Sequence, residues 1–257
     1  MKPSAAQIKS DIQAQDAAVW SEADARPDAL DKFEGDLANA LAAAWSDVVD
    51  GFVIASVPVT GGSAPSGPIT GGVGTLAPGT LTNSASFSAT ANKFSTSFPD
   101  GATEGLSALV DAISQALGQA FAIWVPGYSA TLVATGGLCS WVAPNPPALP
   151  TGTPGGWSGG SIQAQPLSSG ASAGDAGMTG SGLELGIGAM ADPSKLKQNQ
   201  GALQPALSAL IKAVASGFAT TWTQWKAGTN ISGGTSSGAS IPPLGVVTGA
   251  VSSPTVS

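Results

Sequence analysis

Histidine does not occur in this sequence. Its absence removes Ser-His-Asp and Cys-His catalysis, His-ligated zinc and the commonest general base near neutral pH. Carboxylate pairs, lysine chemistry or a metal held by oxygen ligands are what remain. The closest acidic groupings are Glu34 with Asp36 and Asp47 with Asp50. All four fall on one predicted helix, whereas a glycosidase-type dyad needs two carboxyl groups facing each other across a cleft. They therefore read as a solvated helix face. No run of alternating oxygen ligands ending in glycine suggests a calcium loop, and Asp175 and Glu184 stand isolated in a glycine-rich region. Gly71-Gly72-Val73-Gly74 and Gly180-Ser181-Gly182 lack the Gly-Lys-Ser/Thr that would make a phosphate loop of them. Cys139 is the sole cysteine, so an intramolecular disulfide is excluded. Beside Gly137, Leu138 and Trp141 it reads as a small apolar residue rather than a reactive thiol. The reading is that the chain has no catalytic residue, no metal ligand and no cofactor site, and is not an enzyme.

Charge narrows the partners. The 257 residues carry 9 Lys+Arg against 16 Asp+Glu, for a net charge of -7. With no basic stripe to neutralise phosphates, nucleic acid is not an expected partner, and neither is an anionic membrane surface. The N-terminus lacks the apolar core of a secretory signal, and no stretch reads as a membrane span, so the chain is expected to be made in the cytoplasm. Asn230-Ile231-Ser232, which matches a glycosylation acceptor, is then a chance match. Charged residues make up only 10 % of the chain, yet 42 % is hydrophobic, which is enough to fold. Four of the seven tryptophans, Trp45, Trp124, Trp222 and Trp225, fall on predicted helices as core anchors. Trp141 and Trp157 fall in predicted loops, where they are candidate interface hot spots or platforms for stacking a sugar.

The elements that would position these residues are helices first. Ile8, Ile12 and Val19 predict a short amphipathic helix over residues 4–20, an arm that docks either on its own domain or on another subunit. Leu30, Phe33, Leu37, Leu41, Ala44, Trp45 and Val48 make one apolar face over 28–52. The pattern returns from Leu106 to Trp124 and from Leu207 to Trp225, where Leu106-Ser107-Ala108-Leu109-Val110 aligns without gaps on Leu207-Ser208-Ala209-Leu210-Ile211. Descent from a repeat and convergence of Ala-rich helices both explain this likeness. A stretch rich in Gly, Pro, Thr and Ser follows each helix and predicts a small ribbon of edge or irregular strands.

The expected fold is thus α+β: three similar units of an amphipathic helix followed by a short Gly/Pro-rich β ribbon, the helices packed together and the loops long and irregular. The units run 27–99, 100–150 and 191–257, preceded by a helical arm at 1–26. A Gly/Ser-rich linker at 151–190 separates the last two. Its core (151–188) holds few large side chains, and ordering a residue costs roughly 1–2 kcal/mol. Other chains are therefore expected to hold it, with Trp141, Trp157, Leu167, Met178, Leu183, Leu185 and Ile187 as candidate interface residues.

Helices of this texture combined with Gly67-Pro68-Ile69-Thr70-Gly71-Gly72, Thr135-Gly136-Gly137 and Val247-Thr248-Gly249-Ala250-Val251 resemble small structural proteins encoded by tailed bacteriophages and prophages. The resemblance spans Leu37 to Gly74, Leu106 to Gly137 and Leu207 to Val251. It implies a virion-associated role in capsid, connector or tail, with other structural subunits of the particle as partners, copies of the same chain among them. It carries over no catalytic residue. A surface or adhesive module that holds glycans is the alternative.

Overall fold

The computed structural model describes residues 2–19, 28–63, 67–83, 103–139, 155–191, 200–241 and 246–257. The chain divides into two units, each assembled from three separate stretches. The first comprises Met1–Gly51, Ser84–Trp124 and Ala173–Trp225 and is helical; the second comprises Phe52–Asn83, Val125–Ser172 and Lys226–Ser257 and is built of strands.

In the helical unit the apolar periodicities become α1 (Ala5–Val19), α2 (Asp28–Asp50), α3 (Thr103–Gly127), α4 (Gly180–Met190) and α5 (Gln200–Gly228), the ends of α3 and α5 running into the other unit. Large side chains spaced three or four residues apart put Trp45 of α2, Phe121 and Trp124 of α3, and Phe218, Trp222 and Trp225 of α5 into one aromatic cluster. Trp45 lies at its centre, with ring centroids of Phe218, Trp225, Trp222 and Phe121 at 4.6, 5.7, 5.8 and 5.9 Å. Tilted and edge-to-face pairs of this kind contribute about 0.5–1.5 kcal/mol each beyond their buried area. Small residues bring the neighbouring helices close. Gly217 of α5 lies against the backbone of Ile12 in α1, and Gly180 and Gly186 of α4 rest on Ser216 of α5 and Ala116 of α3. Thr179 caps α4 by accepting from the Gly182 amide.

The helix α3 contains, at Ser107–Gly127, the one window among the described residues long and apolar enough to cross a membrane by length and composition. The sequence reading expected no such stretch. Two thirds of the window (67 %) is buried inside the chain, and Leu109, Ile113, Leu117 and Phe121 supply the core of the helical unit.

The second unit is a closed barrel of six antiparallel strands in the order β6-β9-β10-β2-β3-β5, with β5 returning to pair with β6. Here β2 is Ser56–Ser63, β3 Gly67–Leu76, β5 Tyr128–Cys139, β6 Gly155–Pro166, β9 Thr235–Ile241 and β10 Val246–Ser252. The shorter strands β7 (Ala171–Ser172), β8 (Asn230–Gly233) and β11 (Thr255–Val256) extend the sheet, while β1 (Phe52–Ile54) and β4 (Leu81–Asn83) pair with each other. A six-stranded barrel is too narrow for a core of large side chains on every strand. Accordingly glycine takes several of the inward positions: one row in register runs Leu132, Gly74, Val59 and Gly249, and continues through the exposed Gly238 to the buried Trp157. A Cβ on Gly74 would lie 3.0 Å from Val57 Cγ1 and 3.4 Å from Ile162 Cδ1, which reaches across the interior from β6.

The strand β6 changes partner along its length, from β9 at Gly155–Ser158 to β8 at Ile162–Pro166. At the changeover the buried Ser236 hydroxyl accepts from the Gly160 amide at 2.6 Å, replacing the ladder bond lost there. Between β8 and β9 the chain bends through Gly233 and Gly234, with φ of 77° and 85°. A side chain at 234 would in addition strike Val251 and Ser252.

This architecture corrects the expectation of three separate helix-then-ribbon units. The chain is α+β, but the hairpins β2–β3, β5–β6 and β9–β10 join edge to edge into one barrel instead of forming three separate ribbons. The physical reason is the edge. A lone two-stranded ribbon is marginal and leaves two edges unpaired, and closure gives each barrel strand a neighbour on both sides. Pro58 is likewise not on an edge strand. It pairs with Ala250 of β10 on one side, and on the other it lies one residue beyond the β2–β3 pairs Val59–Gly74 and Thr60–Val73. The stretch read as a linker supplies β6, two short 3-10 turns and α4. The arm at the N-terminus packs within its own chain, with Ile8 and Ile12 fully buried.

Candidate interaction surface

Alternation along the barrel strands turns every second residue outward, and the register lines these residues into rows. One row runs Val133, Val73, Thr60, Thr248, Ala239 across β5, β3, β2, β10 and β9. A second runs Pro58, Ala250, Ser237, Ser158, and a third Ser56, Ser252, Thr235. Val73 is 46 % exposed, Leu138, opposite Ser158 on β5, is 67 % exposed, and Val53 on β1 is also exposed. The wall thus consists of hydroxyls, methyls and a few larger apolar groups.

It carries no charge. Lys226 is the only charged residue in the whole of the barrel unit, and every other Asp, Glu, Lys and Arg of the chain belongs to the stretches of the helical unit. A net charge of -7 for the chain, less the one positive charge of Lys226, leaves -8 on the helical unit. On the helices the charges pair locally: Lys9 with Asp31 at 3.0 Å, Lys32 with Asp36 at 2.6 Å, and Lys2 with Asp50. Such exposed pairs contribute about 0–1 kcal/mol each. Glu34 departs from the solvated face assigned to it. It is fully buried under α1, where its carboxylate accepts from Gln13 Nε2 at 3.1 Å. A second polar contact under α1 joins the buried Thr221 hydroxyl to Asp11 at 2.7 Å. These carboxylates tie α1 to α2 and α5. Among the described residues no group of three His, Cys, Asp or Glu is placed to hold a metal ion.

Of the seven residues read as interface candidates, five are buried inside the chain. Trp157 is 1 % exposed on the inner side of β6, its indole N–H reaching the Gly136 carbonyl at 3.3 Å. Leu167 is buried in the barrel unit; Met178, Leu183 and Ile187 are buried in the helical unit. Only Leu185, at 76 %, is exposed, and Trp141 lies outside the described residues. Burial of these five follows because the stretch pairs its backbone into the barrel and tucks its few large side chains under their own unit. The outer wall was missed, although its signal is legible: residues 51–92, 112–174 and 227–257 contain no charged residue.

Comparison with protein-family models, with curated proteins and with solved structures gives no match.

Proposed function

We propose that this chain is a non-catalytic structural component of a phage virion or a related phage-derived particle, in capsid, connector or tail, acting through protein–protein contacts at the wall of its barrel. The particle is suggested by the resemblance of the helix and turn segments to phage structural proteins. The observation that carries the contact role is the charge-free outer wall. Exposed surface of a soluble domain ordinarily carries about 25–35 % charged residues, and loss of charge is the compositional mark of the centre of a protein interface. The glycan-holding alternative loses one of its two aromatic platforms, because Trp157 is buried. Purification of particles from the source strain followed by mass spectrometry tests the proposal. Peptides of this chain should co-purify with the major particle proteins through a density gradient, at a constant ratio to them. Their absence from the particle peak would refute the virion role.

A further inference from the structure

We propose that the barrel is a threefold repeat of a single hairpin, with β2–β3, β5–β6 and β9–β10 as its copies. Around the closed barrel the hairpins follow one another in chain order. Every seam joins the second strand of one hairpin to the first strand of the next: β3 to β5, β6 to β9 and β10 to β2. The pairs Gly67–Cys139, Gly155–Ser240 and Val246–Ser63 bring the turn-side ends of all six strands to one end of the barrel.

The residues repeat in the same order. Each first strand carries a hydroxyl residue, a glycine and a further small residue: Thr60-Gly61-Gly62 in β2, Thr135-Gly136-Gly137 in β5 and Ser237-Gly238-Ala239 in β9. Within the hairpins the middle glycine meets a glycine of the second strand, Gly136 with Gly160 and Gly238 with Gly249. In β2–β3, Gly61 and Gly72 stand one step beyond the pair Thr60–Val73. At the seams the leading hydroxyl residue meets another: Thr60 with Thr248, and Ser237 with Ser158. At the third seam Thr70 and Gly71 of β3 lie between the pairs Ile69–Gly136 and Gly72–Ala134, opposite Thr135 alone, which is a bulge at the matching place. A narrow barrel requires small residues inside, and glycine at any height would meet that requirement. It does not require the same short pattern, with the same partners, in three hairpins far apart in sequence; duplication of one hairpin accounts for it. The repeat is confined to the barrel, because what precedes each hairpin differs: β1 before β2, no strand between α3 and β5, and β8 before β9.

Equivalent hairpins are interchangeable. Thr60 to Gly72 and Ser237 to Gly249 are equal intervals, so residues 58–75 can stand in for residues 235–252 without a gap. In the full chain, residues 235–252 are replaced by a second copy of the 58–75 sequence, and in a control by the same residues in scrambled order. Amide hydrogen exchange of β5, which neither change touches, reads whether the barrel still closes. In the chimera it should stay within about tenfold of the parent, and in the control it should be faster by at least about a hundredfold. A chimera whose β5 exchanges as fast as the control's overturns the inference. The unmodified chain supplies a second test, by crystallography. A third of a turn about the barrel axis should carry each hairpin onto the next, with Gly72, Gly160 and Gly249 superposed. A superposition displaced by a residue in any hairpin, or reached only by a rotation far from a third of a turn, overturns it equally.

Discussion

Replacing Gly217 by alanine should destabilise the helical unit, against the usual sign for this change in a helix. Alanine in a helix interior is favoured over glycine by about 1 kcal/mol. At this position, however, the added methyl would sit 2.6 Å from the Cα and N of Ile12 and 2.9 Å from the carbonyl carbon of Asp11. All three are backbone atoms, so no side chain can rotate out of the way and α1 must lift from α5. Overpacking costs about 1–3 kcal/mol where side chains can adjust. Lifting α1 also uncovers Ile8 and Ile12, both fully buried, at up to about 1.5–3 kcal/mol each if fully exposed. It stretches the 2.7 Å bond from Thr221 to Asp11 as well. Partial relief of the clash by partial lifting puts the net loss at about 2–5 kcal/mol after the propensity gain, on the same terms. Urea unfolding followed by far-UV circular dichroism measures it, with Gly188→Ala as the control. A Cβ at Gly188 in α4 meets nothing within 4 Å, so that change should be neutral or stabilising by up to about 1 kcal/mol. A Gly217→Ala protein as stable as the parent would refute the close crossing of α1 on α5.

Trp45→Ala should cost about 3–5 kcal/mol in the same assay, as expected for a fully buried aromatic. Trp45→Phe should cost far less, because the Trp45 indole N–H meets no hydrogen-bond acceptor among the described residues and its removal returns part of a desolvation penalty of about 1–3 kcal/mol; equal losses for the two variants would contradict this. Ser236→Ala orphans the Gly160 amide inside the barrel, for a loss of about 1–3 kcal/mol and faster hydrogen exchange at Gly160, and unchanged exchange there would refute the assigned bond. Tyr128→Phe removes the 2.8 Å bond from the only tyrosine to the Leu167 carbonyl. That carbonyl keeps the Gly170 amide as a donor, so denaturant unfolding should show a loss near the low end of about 0.5–1.5 kcal/mol.

The helices were legible in the sequence because their signal is a contrast of size. Phe33, Leu37, Leu41, Trp45 and Val48 stand out at helical spacing from an Ala-rich background. The barrel was not, because its interior inverts that contrast. Gly72, Gly74 and Gly249 occupy inner-facing positions, and the outer faces are mostly Thr, Ser, Pro and Ala, with a few larger apolar residues such as Val73 and Leu138. A strand with glycine inside and threonine outside shows neither apolar alternation nor a hydrophobic run, and by composition it reads as a loop. This is how the stretch from Gly155 to Pro166 passed for a linker while forming β6, which pairs with β5, β8 and β9. Burial of Trp157 and Leu167 is hidden in the same way, because the segments that assemble into the barrel unit around them are distant in sequence. Glu34 was assigned to solvent because its own helix gives no hint of Gln13 arriving from α1.

Closure of the barrel has a consequence in time. Val57 of β2 faces Val251 of β10, so one of the earliest strands to be synthesised waits for one of the latest. At about 5–20 residues per second the wait is roughly 10–40 s. Throughout it, the free edge of β2 carries no charged gatekeeper, since none exists between residues 51 and 92. Pairing at such sequence separation is also slow once both strands exist. The nascent chain therefore spends its synthesis with a neutral, unpaired β edge exposed, and ribosomes working side by side on one message bring many such edges together. Holding by a chaperone, or pairing with the same edge of a neighbouring nascent chain, competes with closure until the ribosome has passed Ser252.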